Sequence, residues 1–240
     1  MGHVSLGEEF SAVSFSKAST TSVSDRFQRE TEIATRSVPP QVWKTLDDAG
    51  WRVQLAEFVV DAAPSLRGVR PTGWPRDLTW DNSDAIHLPT SKLLVLAEKR
   101  RNRAGEVVAS TRVAGVLRHE LGHAFDMAAS RGTHRLSDSQ QFTRAYELDV
   151  SRLEPADRKP LAYYLQVSRS GWQETFAEAF AVSLGGGSSD IEPQIFEADF
   201  PRVMVYVRNA IAYPLTTDSA TTVQRVVPET ALRRRFTRRR

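Results

Sequence analysis

The chain has 240 residues, 40% of them hydrophobic and 25% charged, and a chain of this kind can bury one good core. It has no cysteine, which excludes disulfides and cysteine-ligated metals. No apolar run reaches the roughly 18 residues that a transmembrane helix needs. The N-terminus lacks the basic start and apolar stretch of a secretory signal, so we expect either the cytoplasm or export without a recognisable signal peptide.

The net charge of +3 comes from the end of the chain, where six of the eight residues from Arg233 to Arg240 are arginine. Without those six, 26 basic residues face 29 acidic ones, and the rest of the chain is slightly acidic. We interpret residues 215–240 as a basic flexible tail. Such a tail either binds a polyanion weakly, for example nucleic acid or an anionic membrane surface, or is only solvated.

The first half of the chain predicts a small sheet. Residues 1–38 are rich in Ser and Thr with little apolar periodicity, which predicts a flexible N-terminal segment. A short helix is predicted at 41–49, ended by Gly50. Residues 61–80, with three prolines and two glycines, predict a loop. Alternating or apolar runs predict strands at 51–58, about 85–88 and 93–97.

The second half predicts helices. Ser110 suits the N-cap of the first, because Val113, Leu117 and Ala124 fall on one stripe after it. Further helices are predicted at about 138–150, 155–166, 171–184 and 199–212. Strands followed by helices predict an α+β fold, with a small N-terminal mixed sheet and a helical C-terminal lobe.

The sequence His119-Glu-x-x-His123 carries the main functional signal. Residues four apart lie on one face of a helix, so the two imidazoles can hold one zinc ion per chain. Glu120 lies about 100° further round the helix, where it can take a proton from a water molecule without ligating the metal. This motif predicts a zinc site on a helix between the sheet and the helical lobe. The alternative is a surface helix that carries two histidines by chance.

Catalytic zinc usually has a third protein ligand. The metzincin pattern needs Gly and His where this chain has Asp126 and Ala129, so that class is excluded. His87, after a predicted strand, and His134, in a polar loop, are weak candidates.

The stronger candidates are Glu174 and Glu178, which lie one turn apart on a predicted helix among apolar neighbours. Two carboxylates in such surroundings are costly unless a positive group satisfies them. One would ligate the zinc and the other would hydrogen-bond a ligand histidine. The alternative is an amphipathic helix with an exposed acidic stripe.

The two motifs together, His-Glu-Leu-Gly-His-Ala-Phe-Asp at 119–126 and Glu-Thr-Phe-Ala-Glu-Ala-Phe at 174–180, resemble the catalytic domain of anthrax lethal factor and related secreted bacterial metallopeptidases. The resemblance is firm over about 110–185 and loose over 40–110. It implies a metallopeptidase domain at about 39–214, with His119, His123 and Glu174 as zinc ligands. It also implies that Glu120 is the general base. Glu178 would hydrogen-bond a zinc ligand without binding the metal itself.

The family also has a tyrosine that stabilises the oxyanion, shortly before the third-ligand helix. The matching position here is Val167, so the sequence departs from the family pattern. Tyr163 and Tyr164 lie just upstream, and adjacent residues point in different directions, so at most one should face the zinc. Either could instead be an ordinary core aromatic residue.

We therefore predict a gluzincin-type zinc endopeptidase that acts on a protein or peptide substrate. An extended peptide could add to strand 93–97 if that strand lies at a sheet edge. Two alternatives stay open: a zinc amidohydrolase that does not cleave proteins, and a non-catalytic protein that binds polyanions through its arginine-rich tail. The oligomeric state is not encoded in any pattern we found.

Overall fold

A four-stranded mixed sheet lies beside a group of helices in this computed structural model, which describes residues 22–71, 74–130 and 134–214 together with the backbone of residues 15–17. The sheet order is β1-β2-β4-β3, and β5 and β6 form a separate hairpin. The strands are β1 Phe15–Lys17, β2 Arg52–Ala56, β3 Ala85–Leu88, β4 Leu93–Ala97, β5 Lys99–Arg101 and β6 Val107–Ala109.

Nine α-helices are described in these ranges: α1 Asp25–Thr35, α2 Pro40–Asp48, α3 Val59–Ala62, α4 Val113–Ala128, α5 Gln140–Val150, α6 Pro155–Arg158, α7 Arg169–Ser183, α8 Pro193–Asp199 and α9 Pro201–Ala212. The prediction of an α+β fold with a small mixed sheet and a helical lobe is confirmed. None of the described helices has both the length and the apolar character that a membrane crossing requires.

Strand β4 is the centre of the sheet. It runs parallel to β2, with Val53 opposite Leu94, and antiparallel to β3, with Ile86 opposite Val95. Its residues Leu94–Ala97 are all buried, which is the pattern of a strand covered on both faces. The expectation that strand 93–97 lies at a sheet edge is therefore wrong, and β3 is the edge strand on this side.

Helices α4 and α7 pack closely, and this contact positions the residues of interest. A Cβ atom at Gly122 would lie only 2.8 Å from the Cα atom of Ala177. Phe125 of α4 meets Phe180 of α7, with ring centroids 5.3 Å apart. Only glycine lets the two backbones approach this closely, and the approach brings the helix with the two histidines against the helix with the two glutamates.

The N-terminal part of the chain differs from the prediction of a flexible segment through residue 38. Helix α1 buries Phe27, Thr31 and Ala34 and packs against α4, while the Ser24 hydroxyl caps it by accepting from the Phe27 amide. Only three of its eleven residues are buried, and the polar composition of the segment led to the prediction of flexibility. Residues 1–14, 18–21 and the predicted tail at 215–240 lie outside the described residues.

Three smaller differences have local causes. Ser110 does not cap α4: its hydroxyl oxygen lies 2.7 Å from both the Asp84 carboxylate and the Ala97 carbonyl, and the helix begins at Val113. The helix predicted at 155–166 is only the short α6, followed by turns. Helix α8 and the β5–β6 hairpin are not apparent in the sequence, because both are short and lack a full apolar period.

Candidate metal centre

Helix α4 carries both motif histidines on its buried face, where they meet Glu174 of α7. His119 and His123 are 7% and 3% exposed. The Nε2 atoms of His119 and His123 lie 3.2 and 3.4 Å from the same carboxylate oxygen, Oε2 of Glu174. Three donor atoms from two distant segments thus converge on one point.

The spacing of these donors fits a zinc ion. Zinc bonds to nitrogen or oxygen of about 2.0–2.1 Å in tetrahedral geometry place neighbouring ligand atoms about 3.3–3.4 Å apart. The two measured separations, 3.2 and 3.4 Å, agree with that value, and all three atoms lie within 4.8 Å of one another. Two histidines and one glutamate are also a ligand set of catalytic zinc sites, which leave a further position open.

Glu178 lies one turn beyond Glu174 and contacts the other nitrogen of His119. Nδ1 of His119 is 2.9 Å from Oε2 of Glu178, so we assign the Nδ1 proton as donated to the carboxylate. When the ring is neutral, that tautomer leaves the Nε2 lone pair of His119 available to a metal. Glu178 is fully buried.

Two serines that the sequence analysis missed hold Glu178 in place. The hydroxyls of Ser188 and Ser189 both donate to its carboxylate at 2.8 Å, and their backbone amides add bonds of 3.1 and 3.2 Å. Burial raises the pKa of Glu178, but the hydrogen bonds from His119 and the two serines outweigh it and lower the pKa to about 2. The carboxylate is therefore ionised at neutral pH.

The three glycines Gly185-Gly-Gly187, just before these serines, are the sequence feature that could have indicated them. A Cβ atom at Gly187 would collide with the Glu178 carboxylate, and one at Gly115 of α4 would collide with the Gly187 carbonyl. The run therefore does more than end α7. It lets the loop backbone reach both helices of the site.

The charges at the centre favour a cation. Burial raises the pKa of Glu174, but His123 and His119 outweigh it and hold the pKa well below the usual range. Burial lowers the pKa of His119, yet its contacts with Glu174 and Glu178 raise the net value well above 6.5. Burial and the neighbouring His87 lower the pKa of His123 to about 4, so this imidazole is neutral at neutral pH.

Glu120 is held on the other side of the centre by His87 of strand β3. The Nδ1 atom of His87 lies 3.2 Å from Oε2 of Glu120. The His87 ring also stacks on the His123 ring, with centroids 4.3 Å apart and planes at 23°. His87, Glu120 and His123 form a second group whose donor atoms could hold a metal, whereas His134 is exposed and belongs to neither group.

The two candidate tyrosines occupy different environments. Tyr163 lines the cavity at the centre, where Glu174 is a neighbouring charge. Tyr164 is 2% exposed and packs edge-on against Phe196, so the structure does not bring it to the cavity. Val167, at the position of the family tyrosine, is 99% exposed. Sequence reasoning could not choose between the adjacent tyrosines, because the chain there forms turns of no regular period.

A cavity of about 1000 Å³ is lined at the centre by His87, His119, Glu120, His123, Tyr163 and Glu174. Beside the centre, its walls come from strand β3, from the loop between α3 and β3, from the β5–β6 hairpin and from the segment before α7. The lining residues away from the centre include Trp74, Leu78, Trp80, Ile86, Arg100, Arg101, Arg103 and Gln166. A cavity with a wall of convergent polar groups and an apolar wall is typical of a ligand site.

Comparison with known proteins agrees with the two motifs. A sequence model of the family described as "Anthrax toxin lethal factor, N- and C-terminal domain" matches residues 13–184. The chain belongs to the anthrax toxin lethal factor family. The resemblance noted from the motifs is thereby confirmed, together with the prediction that the protein is a zinc metallopeptidase.

A solved structure has a similar fold over most of this lethal factor family chain. A structure of the Pro-Pro endopeptidase PPEP-2 from Paenibacillus alvei superposes with a TM-score of 0.56, over 82% of this chain and 96% of that one. The two sequences are 18% identical, so the match concerns the fold. No curated protein matches the chain.

Proposed function

We propose that this protein is a zinc-dependent endopeptidase that binds its metal through His119, His123 and Glu174. The observation that carries the proposal is the convergence of the three donor atoms, at 3.2 and 3.4 Å from the shared carboxylate oxygen, on the wall of a large cavity. We prefer this group to the one containing His87, because it leaves Glu120 free to act on a substrate. The endopeptidase activity of the structural neighbour PPEP-2 is consistent with it.

The general base is Glu120. When bound, zinc acts as a Lewis acid towards a carbonyl group and lowers the pKa of a water molecule to about 7. Burial raises the pKa of Glu120, but the hydrogen bond to His87 and the nearby His123 outweigh it, and the net shift is downward. The carboxylate is thus ionised at neutral pH, accepts a proton from the attacking water and passes it to the leaving amine.

His87 is a positioning residue for this step. Its Nδ1–H donates to one oxygen of Glu120 at 3.2 Å and leaves the other oxygen for the water molecule. The stack on His123 fixes the plane of the His87 ring. Because β3 is part of the sheet, a rigid element holds the contact.

Tyr163 supplies a hydrogen bond to the carbonyl oxygen as negative charge develops there. Tyr163 is 49% exposed; its partial burial and the neighbouring Glu174 raise its pKa, so the phenol keeps its proton and can donate. We assign this role to Tyr163 and not to Tyr164, which is enclosed in the core.

An extended peptide can add to the free edge of β3. No other described strand pairs with that edge, and three consecutive β3 residues, Ala85 to His87, line the cavity. Backbone hydrogen bonds along an edge strand hold a peptide whatever its sequence, which suits a peptidase better than an amidohydrolase of small molecules.

A pair of variants tests the proposal. Glu120→Gln should keep one zinc ion per chain by elemental analysis and lose hydrolysis of a peptide library, because only the base is removed. Glu174→Ala should lose most of its zinc. Full activity of Glu120→Gln, or an unchanged zinc content of Glu174→Ala, would contradict the assignment.

The arginine-rich tail, Arg233 to Arg240, lies outside the described residues, and its proposed binding to polyanions has a separate test. If it binds polyanions, binding to heparin or DNA should fall steeply with salt and disappear when residues 232–240 are deleted. Unchanged binding after the deletion would exclude this role for the tail.

A further inference from the structure

Three arginines line the cavity away from the metal centre, and no proposed catalytic step uses them. Arg100 and Arg101 belong to strand β5, and Arg103 lies in the turn that follows it. Among the described residues that line the cavity, the only carboxylates are Glu120 and Glu174, both at the metal centre. This end of the cavity, defined by Arg100, Arg101 and Arg103, is the arginine end.

Arg101 supplies the net charge of the arginine end. Arg100 is paired with Asp84 at 3.1 Å and Arg103 with Asp77 at 3.0 Å. Within the part of the chain that the structure describes, Arg101 has no carboxylate partner. Its Nη1 donates to the Gly105 carbonyl at 2.9 Å, which leaves the other donors of the guanidinium free.

Hydrogen bonds hold the backbone of the arginine end. Asn82 donates from its side chain to the Arg101 carbonyl at 2.8 Å, and so ties the hairpin to the neighbouring wall. The turn is closed by backbone bonds of 2.9 Å between Asn102 and both Gly105 and Glu106. The planar donors of the Arg101 guanidinium fit both oxygens of a carboxylate.

An apolar wall adjoins these arginines. The rings of Trp74 and Trp80 lie 5.7 Å apart, and both line the same cavity. Together, the wall and Arg101 suit a side chain with an aliphatic stem and an anionic end, which describes glutamate and, with a shorter stem, aspartate.

We propose that the arginine end binds an acidic side chain of the peptide substrate, so that the enzyme prefers peptides with Asp or Glu at a fixed distance from the scissile bond. The inference rests on the proposed peptidase function. It assigns Arg101 as the residue that determines this preference, assisted by the remaining donors of Arg100 and Arg103.

The test is cleavage of a peptide library by the full-length, zinc-loaded chain, with Glu120→Gln as the blank. All peptides are amidated, so that a terminal carboxylate cannot stand in for a side chain. We expect Asp and Glu to be enriched at one position in the cleaved peptides. Arg101→Gln should lose this enrichment, while Arg144→Gln, on the exposed face of α5, should retain it.

Matched peptides that differ only by Glu or Gln at that position then measure the size of the preference for an acidic residue. We expect kcat/KM to favour the Glu peptide about tenfold in the wild type, the ratio that one charge-assisted hydrogen bond gives. In Arg101→Gln, cleavage of the Glu peptide should fall to near the rate for the Gln peptide.

The outcomes separate the two hypotheses. Cleavage without an acidic preference, or a preference that survives in Arg101→Gln, overturns the role of the arginine end and leaves the peptidase function standing. A wild-type enzyme that cleaves no peptide beyond the Glu120→Gln blank overturns both.

Discussion

Replacing Glu178 with Gln should weaken zinc binding without touching a metal ligand. Five donors converge on this carboxylate: Nδ1 of His119 and the amide and hydroxyl groups of Ser188 and Ser189. A glutamine offers one acceptor oxygen and turns an NH2 group towards the remaining donors. It also removes the negative charge 2.9 Å from the ligand imidazole.

The size of the effect follows from this geometry. Loss of the partner of a ligand histidine typically costs 10- to 100-fold in metal affinity, or about 1.4–2.8 kcal/mol. We expect the upper end for Glu178→Gln, because the group is fully buried and water cannot replace it. Ser189→Ala, which removes one of the five donors, should cost less.

The assay is the zinc dissociation constant, measured by competition with a chromophoric chelator, together with thermal unfolding of the metal-free proteins. Glu197→Gln is the control, since Glu197 pairs with Arg208 at 2.8 Å on the exposed surface away from the site. A dissociation constant for Glu178→Gln within twofold of the wild type, in a folded protein, would refute the supporting role of Glu178.

Three further predictions address the mechanism, the packing and the pH dependence. Tyr163→Phe should lower kcat about 100-fold with little change in KM. Tyr164→Phe, at saturating zinc, should keep kcat within a few-fold of the wild type. Equal losses in the two variants would contradict the assignment of Tyr163. Gly122→Ala should lower the free energy of unfolding by about 1–3 kcal/mol, because the added Cβ would lie 2.8 Å from the Ala177 Cα. The measurement is a lower Tm in thermal unfolding. An unchanged Tm would mean that α4 and α7 move apart without cost. The pKa of His119 is raised in the metal-free protein, so zinc must displace its proton, and zinc affinity should fall as the pH falls. Calorimetry in buffers of different ionisation enthalpy should then detect about one proton released per zinc at pH 7, and zero release would rule out a protonated His119.

Local sequence patterns predicted those features that depend on the geometry of one helix or one strand. The shared face of His119 and His123 follows from helical spacing alone, and so does that of Glu174 and Glu178. The strand at 93–97 was found from its apolar run, yet its place in the sheet was wrong, because a run of apolar residues does not say which strands lie on either side.

The contacts that sequence reasoning missed all join distant segments of the chain. Ser188 and Ser189 reach Glu178 only because the glycine loop passes close to α4 and α7. His87 contacts Glu120 from 33 positions away in the chain, on a strand whose sequence gives no sign of what its side chains face.

The sequence by itself determined the residue types of the metal site, the family and the α+β order of elements, since each is encoded over one or two turns of helix or a few residues of strand. Only the tertiary structure decided that Glu174 and the histidines share one point, that Tyr163 and not Tyr164 faces the cavity, and that three arginines line its far end. The physical reason is that a helical period acts over a few residues, whereas bringing α4 and α7 together depends on how the whole core packs around the close approach at Gly122.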